Sequence, residues 1–165
     1  MLPLTESVLR ASLINASLRE RQSLTPPPNL DDLPWADLDY LGWRDRKVPS
    51  LGYAVVEVDG SPVGMLLRQA ERKPRSRAQC SWCEDVTLPN DVVFFGARRA
   101  GKAGRNGDTI GTLVCANFEC SANVRRRPPL AYIGFDVDAE RLRRIDALSE
   151  HARNFALNLR DGDDA

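Results

Sequence analysis

Apolar residues recur every three or four positions near both ends of the chain, a spacing that predicts an amphipathic helix at each end. The first predicted helix is capped by Thr5 and runs to about Arg21. The second is longer and is capped by Asp138. The apolar positions that define the two faces are Val8, Ala11, Ile14 and Leu18 in the first helix and Leu142, Ile145, Leu148, Ala152, Phe155 and Leu159 in the second.

Between the two helices, apolar runs bounded by turn residues predict two β-hairpins. The first is LGYAVVEVDGSPVGMLLRQ, residues 51–69, with Asp59 and Gly60 at its turn. The second pairs DVVFFGARR, residues 91–99, with DTIGTLVC, residues 108–115, across the flexible glycine-rich loop AGKAGRNG. The run LAYIGF, residues 130–135, is a candidate for one further strand.

Prolines and aromatic residues mark the segments that are expected to be irregular. The run TPPPNLDDLPW, residues 25–35, ends the first helix because three consecutive prolines force an extended path. Pro128 and Pro129 stop a short helix that follows Cys120. The segment between the proline run and the first hairpin is expected to be a loop that packs its aromatic side chains on the core. These side chains could form a partner surface instead. The apolar residues of this loop are Trp35, Leu38, Tyr40, Leu41 and Trp43.

The order of these elements predicts an α+β fold: one helix, two hairpins and two further helices. A chain of 165 residues can bury a hydrophobic core as one domain. We expect three parts within this domain, 1–72, 73–129 and 130–165. The polar run KPRSR, residues 73–77, connects the first part to the second, and DGDD frays at the C-terminal end.

The predicted location follows from two features that the sequence lacks. No stretch approaches the roughly 18 apolar residues that span a bilayer. The segment MLPLTESVLR carries the acidic Glu6 where a secretory signal has positive charge and an apolar core. We therefore expect a cytoplasmic protein that does not enter the membrane. In that reducing compartment, four cysteines argue against structural disulfides.

The four cysteines form two close pairs, with the spacing Cys80-x2-Cys83 and Cys115-x4-Cys120. A CxxC turn directs two thiolates at one tetrahedral ion, and the second pair supplies two more if Cys115 ends a strand and Cys120 starts a short helix. Four sulfur ligands predict a closed, structural zinc site without an open position for water chemistry. The alternatives are buried core cysteines and a redox dithiol, and ligand type alone leaves iron open.

The net charge of zero conceals an uneven distribution. Residues 68–127, which contain all four cysteines, hold 12 basic and 6 acidic side chains, a net charge of +6. The flanking parts, 1–67 and 128–165, each have a net charge of −3. A basic block of this kind favours encounters with an anionic partner, either RNA or an acidic protein surface.

No enzyme site is predicted from the sequence. GARRAGKA, residues 96–103, resembles a phosphate-binding loop, but Ala103 replaces the magnesium-binding hydroxyl and a strand rather than a helix is expected to follow. We therefore expect no nucleotide binding. His151, the single histidine, is expected to be a surface residue of the last helix. The neighbouring Asp31 and Asp32 are expected to be solvated turn residues.

A cysteine knuckle, a hairpin and a helix that carries the last ligand together make a treble clef. The segment from CSWC through FFGARRAGKAGRNGDTIGTLVCANFECSANVR resembles the zinc-finger domain of the FBP family, the elongation factor G-binding proteins of the FusB type. LPWADLDYLGWRD followed by a hairpin is similar to the single-domain branch of that family, so the resemblance covers nearly the whole chain. It implies one FBP-type domain over 1–165, with the zinc-binding treble clef at 73–129.

The resemblance implies one structural Zn²⁺ on Cys80, Cys83, Cys115 and Cys120, and a surface that binds elongation factor G, with an effect on the factor's release from the ribosome. That surface is expected on the loop from Arg98 to Arg105 and on a helix from Asn117 to Arg127. The residues singled out there are Arg98, Arg99, Lys102, Arg105, Asn117, Phe118, Arg125, Arg126 and Arg127. We expect the zinc to hold the two basic clusters on one face of a monomer.

The resemblance leaves drug resistance and two other functions open. The two-domain resistance proteins of the family carry an additional N-terminal helical bundle for which this sequence has no segment, so factor binding is expected to transfer and drug resistance is left open. An RNA- or ribosome-binding zinc protein is the main alternative, although few aromatics accompany the basic residues. The aromatic residues within the basic block are Trp82, Phe94, Phe95 and Phe118. A zinc-thiolate redox switch is a third reading and needs exposed cysteines.

Overall fold

Five strands form one antiparallel sheet in the computed structural model, which describes residues 1–71, 78–85, 90–130 and 132–162. The order in the sheet follows the order in the chain, so each strand pairs with its sequence neighbours. The strands are β1 (Leu41–Arg44), β2 (Leu51–Val58), β3 (Ser61–Gln69), β4 (Val92–Arg98) and β5 (Thr109–Cys115).

The helices accompany a single antiparallel sheet, so the predicted α+β fold class is confirmed. They are α1 (Glu6–Ser12), α2 (Leu18–Ser23), α3 (Gly101–Arg105), α4 (Cys120–Arg125) and α5 (Val137–Asp161), with short 3-10 turns at Leu30–Asp32 and Trp35–Asp37. None of the described helices is both long and apolar enough to cross a membrane.

Both predicted hairpins are present. Strands β2 and β3 pair from Leu51↔Arg68 to Val58↔Ser61, and the two residues between them are Asp59 and Gly60. Both turn residues have positive φ, 51° and 76°, which matches the right-handed twist of the flanking strands. Strands β4 and β5 pair along their full length. The connection between them is not an irregular flexible loop, because it contains α3.

The N-terminal segment differs from the single helix that was predicted to reach Arg21. It forms α1 and α2 with an extended break between them, and Leu13 in this break bridges Gly64 in parallel. The backbone N–H of Ile14 donates to Gly64 O at 2.9 Å, and the Asn15 side chain bonds both backbone groups of Leu66. The apolar spacing correctly predicted helical structure within this segment, as α1 and α2. Hydrogen bonds to β3 determine where α1 ends.

The aromatic segment is partly a strand rather than an irregular loop. Leu41–Arg44 pairs with β2 as β1, and Trp43 stacks on Tyr53 with a centroid separation of 5.0 Å. The prediction that this segment packs on the core is confirmed, because its large residues except Leu38 are buried and Leu38 is partly buried. The buried ones are Trp35, Tyr40, Leu41 and Trp43.

The sheet separates two hydrophobic clusters, one on each face. Successive residues of β2 alternate between them: Ala54 and Val56 belong to one cluster, Tyr53 and Val55 to the other. The first cluster also contains all four cysteines and the buried face of α5. The second lies under the N-terminal helices and the aromatic segment.

The C-terminal predictions need three corrections. The cap of α5 is Asp136, whose carboxylate accepts from the backbone N–H groups of Asp138 and Ala139. Leu142 is 60% exposed, so the buried face begins with the partly buried Ile145. Residues 130 and 132–135 contain no strand. KPRSR, residue 131 and 163–165 lie outside the described residues.

Candidate metal centre

The four cysteines converge from three places in the fold. Cys80 and Cys83 lie in a turn before β4, Cys115 is the last residue of β5, and Cys120 is the first residue of α4. Their sulfur atoms all lie within 4.8 Å of one another, and all four residues are buried. The predicted convergence of the two pairs is therefore confirmed, as are the positions of Cys115 and Cys120 at a strand end and a helix start.

Tight turns bring each pair together. Glu84, directly after Cys83, has φ 54°, and its N–H donates to Cys80 O at 2.9 Å. The N–H of Ser81 donates to Leu113 O at 2.7 Å, which attaches this turn to β5. In the second pair, Phe118 has φ 62° and its N–H donates to Cys115 O at 2.9 Å. A hydrogen bond to β5 thus fixes the first turn, and a hydrogen bond within the second turn closes it.

The sulfur positions fit one tetrahedral zinc ion. Four sulfurs at about 2.3 Å from Zn²⁺ lie about 3.8 Å from one another. The Cys80–Cys120 and Cys83–Cys115 sulfur separations are both 3.7 Å. Because every donor is a buried sulfur, the set suits a structural ion and leaves no position for a substrate. The cofactor prediction, one structural Zn²⁺, is confirmed by this geometry and by the family reported below.

The thiols interact too strongly to ionise independently. Hydrogen bonding with Cys115 is the main cause that lowers the pKa of Cys80 and raises the pKa of Cys120. Buried thiolates at this spacing repel one another, and a divalent cation would compensate that repulsion. The electrostatics therefore point to the same ligand as the distances do.

Aromatic residues connect the cysteines to the sheet and to α5. Phe118 stacks on Phe95 with a centroid separation of 5.3 Å, and Tyr40 donates through its hydroxyl to Phe118 O at 3.3 Å. Burial, followed by the neighbouring Cys120, raises the pKa of Tyr40 well above its usual value. Trp82, between the first two ligands, packs edge-on against Tyr40 and also contacts Phe155.

His151 is not a free surface residue, in contrast to the sequence-based expectation. Its Nδ1 lies 3.1 Å from Trp82 O, so this side chain contacts the turn between Cys80 and Cys83. About two helical turns earlier on α5, Arg144 forms a 2.7 Å ion pair with Asp85, and both side chains are largely buried. Helix α5 is thus attached to the cysteine turn at two places.

A second ion pair holds α4. Arg125 donates to both carboxylate oxygens of Asp39, at 2.6 and 3.1 Å, and the backbone N–H of Asp39 donates to Ser121 Oγ at 3.1 Å. The charge pair raises the pKa of Arg125, chiefly through its hydrogen bond to Asp39. Sequence reasoning missed Asp39, Asp85 and Arg144 as parts of this site, because no sequence spacing links residues 59 or 86 positions apart.

The basic loop lies far from the metal centre along the hairpin. Thr109 and Cys115 are the two ends of β5, which places them about 20 Å apart at about 3.4 Å per residue. The loop is held by the C-terminal end of α5: Ala100 N–H donates to Leu159 O at 2.9 Å, and Arg99 donates to Asn158 O at 2.5 Å. The contacts that fix the loop therefore come from α5 rather than from the cysteines.

The predicted partner-binding residues differ in their availability. Arg98, Lys102, Arg105, Asn117, Arg126 and Arg127 are exposed. Arg99 and Arg125 are engaged in the contacts described above, and Phe118 is 7% exposed. The helix expected from Asn117 to Arg127 is shorter and spans Cys120–Arg125 as α4. Pro128 and Pro129 follow it, as predicted.

The near-match to a phosphate-binding loop has a different structural context from the one expected. A short helix is present where none was expected: α3 contains five residues, Gly101–Arg105, and Lys102 is one of them. In a phosphate-binding loop, the lysine stands at the start of a longer helix. Gly104 is packed so closely that a Cβ there would lie 1.8 Å from Arg99 O. The glycine therefore serves the packing of the loop on itself.

These elements define a class of protein. A cysteine turn, a β-hairpin that ends in the third cysteine and a helix that begins at the fourth make a treble-clef zinc finger. In a comparison with family models, residues 8–159 match the FBP C-terminal treble-clef zinc-finger family. The chain belongs to this family, as its sequence resemblance implied.

Comparisons with individual proteins add less. Among solved structures, the chain is similar to the fusidic acid resistance protein FusC, with 18% sequence identity and a TM-score of 0.49. The match covers 79% of this chain and 51% of FusC, so the chain spans about half the length of that protein. A search of curated proteins found no match.

Proposed function

We propose that the chain is a zinc-stabilised protein-binding module for elongation factor G, and that binding modulates the release of the factor from the ribosome. The observation that carries the proposal is membership of the FBP family across residues 8–159. The buried all-sulfur site supports a binding role, since it leaves no coordination position for chemistry.

The exposed cations of the α3 loop are the proposed contact surface. Arg98, Lys102 and Arg105 are exposed, while Ala100 and Arg99 fix the loop to the end of α5. A basic surface that is already rigid loses little conformational entropy when it docks on an acidic partner. Arg126 and Arg127, which follow α4, form a second exposed cluster, which the experiment treats separately.

The test is binding of the purified chain to purified elongation factor G over a range of salt concentrations. Reversing Arg98, Lys102 and Arg105 to Glu should slow association and flatten its salt dependence, because charges at the rim of an interface act mainly on encounter. Zinc content should be unchanged, and each surface change should alter stability by about 0.5 kcal/mol or less. The matched control reverses Arg19, Arg46 and Lys47, which are exposed outside both clusters.

The possible outcomes separate the surface from the function. If the loop variant binds normally and Arg126→Glu/Arg127→Glu does not, the second cluster is the contact surface. If the unaltered chain fails to bind the factor at low salt, the proposed function is wrong. An unchanged rate of factor release from ribosomes on addition of the chain would contradict the modulating role while preserving the binding proposal.

An RNA- or ribosome-binding function is the second candidate, favoured by the net charge of +6 over residues 68–127. Stacking on single strands needs exposed aromatic rings. Of the four aromatics near the basic residues, Phe94 is 43% exposed and Trp82, Phe95 and Phe118 are buried. A pull-down with and without ribonuclease separates the candidates, because a direct protein partner remains bound after RNA is digested. The redox reading is disfavoured by the burial of all four cysteines.

A further inference from the structure

Asn123 is a fully buried polar residue that lies against one of the four sulfurs. It is 0% exposed, and its Nδ2 lies 3.4 Å from Cys115 Sγ. Asn123 follows Cys120 by three residues on α4, so the two side chains share one face of the helix. The same short helix therefore supplies one sulfur ligand and an N–H group directed at another.

The orientation of the Asn123 amide follows from its neighbours. The carbonyl of Asp91 can only accept a hydrogen bond, and Asn90 Nδ2 lies 3.2 Å from it. The oxygen of Asn90 consequently faces Asn123, whose Nδ2 donates to it at 3.1 Å. Because Nδ2 carries two hydrogens, the second is available to Cys115 Sγ. Asn123 thus donates a hydrogen bond to Asn90, and Asn90 in turn donates one to Asp91.

The arrangement has a cost that needs an explanation. The Oδ1 atom of Asn123 is buried without a hydrogen-bond partner among the residues that the structure describes. A buried polar atom of this kind disfavours folding, and an apolar side chain of similar size would avoid the penalty. The other amide atom, Nδ2, is the part of the side chain that gives the asparagine a role at this position.

We propose that Asn123 is a positioning residue of the zinc site, which donates an N–H···S hydrogen bond to the Cys115 thiolate when zinc is bound. Four thiolates around one Zn²⁺ carry an excess of negative charge in a buried site. A donor to one sulfur disperses part of that charge and fixes the orientation of the ligand. Cys80 receives a similar contact from the backbone N–H of Cys83, at 3.5 Å. Cys115 receives its contact from a side chain, so a substitution can remove it.

The first test compares Asn123→Leu with Val124→Ala, a control that truncates a fully buried side chain of the same helix. In the Co²⁺-substituted protein, losing the hydrogen bond raises the energy of the sulfur electrons. The sulfur-to-cobalt charge-transfer band of Asn123→Leu should therefore move to lower energy, while that of Val124→Ala should not move. In competition with a chromogenic chelator, the zinc affinity should be lower by roughly 10- to 100-fold in Asn123→Leu alone.

A second test needs no substitution and remains informative if Asn123→Leu does not fold. In the ¹¹³Cd-substituted wild-type protein, a scalar correlation is expected between the metal and an Nδ2 proton of Asn123, transmitted through Cys115 Sγ. Asn90→Ala, which removes the partner that orients the amide, should weaken that correlation. Absence of the correlation in the wild type, or an unchanged cobalt band with a zinc affinity within about twofold of the control, would show that Asn123 only fills space.

Discussion

At the scale of single residues, Phe118 shows how packing overrides local preference. A bulky aromatic residue rarely adopts positive φ, yet Phe118 has φ 62° between the two ligands Cys115 and Cys120. Its ring stacks on Phe95, and two strand glycines, Gly42 and Gly52, leave room for it. The strained backbone conformation is stabilised by contacts from three other parts of the chain. The family resemblance placed Phe118 on a partner-binding surface, but tertiary contacts bury it.

Gly42→Ala tests this packing. A Cβ at this position would lie 2.5 Å from Phe118 Cβ and 2.7 Å from Tyr40 Cε2. We expect a loss of about 1–3 kcal/mol in the free energy of unfolding, since neither neighbour can move freely. Chemical denaturation monitored by tryptophan fluorescence measures it. The matched control is Gly96→Ala, where the nearest atom to an added Cβ is 3.9 Å away, and equal stabilities of the two variants would contradict the interpretation.

At the scale of elements, the sheet explains why the N-terminal helix is divided. Strands β3 and β4 pair only at Arg68↔Gly96 and Gln69↔Phe95. The earlier part of β3 therefore needs other hydrogen-bond partners along the edge that would face β4. Buried backbone groups without such partners lower the stability of the fold. The break between α1 and α2 provides these partners at Gly64 and Leu66. One helix through this segment would leave that edge of β3 without them.

Asn15→Ala tests the role of this break. The side chain accepts from Leu66 N at 2.8 Å and donates to Leu66 O and Arg98 O at 2.9 and 3.0 Å. Its removal should lower the free energy of unfolding by about 1–3 kcal/mol, because backbone groups lose their partners. The exposed Asn154→Ala in α5 should change it by about 0.5 kcal/mol or less. Hydrogen exchange at the Leu66 amide should accelerate in the first variant only, and unchanged exchange there would argue against the assigned role.

At the scale of the whole molecule, the metal centre joins the sheet to both C-terminal helices. The cluster of buried residues that contains the cysteines also contains Trp82, Phe95 and the buried face of α5. Ion pairs from Arg144 to Asp85 and from Arg125 to Asp39 connect the same elements. Loss of zinc should therefore destabilise more than the two turns that carry the ligands.

Cys83→Ala and metal chelation test this dependence. A structural zinc site can contribute on the order of 10 kcal/mol to folding, so either change should unfold at least the treble clef. Elemental analysis and thermal melting measure metal content and stability. The control is Leu9→Ala in the other hydrophobic cluster, which should cost about 2–5 kcal/mol and retain one zinc. Unchanged melting of metal-free Cys83→Ala would contradict the prediction.

The sequence by itself predicted the elements whose signals are local. Two apolar runs and the Asp59-Gly60 turn between them identified the first hairpin, because strand propensity and turn geometry depend on adjacent residues. The two cysteine spacings predicted a common ligand, since each pair brings its sulfurs close through a few residues of backbone. Family resemblance then supplied the treble clef, and the match over residues 8–159 confirmed it.

Only the tertiary structure decided the features that depend on contacts between distant segments. The division between α1 and α2 follows from hydrogen bonds to β3, and the burial of Phe118 follows from space beside Gly42 and Gly52. The attachment of the basic loop to the end of α5 likewise joins residues about 60 positions apart. Such contacts leave no periodic signal in the sequence, because each depends on which surfaces meet after the chain has folded.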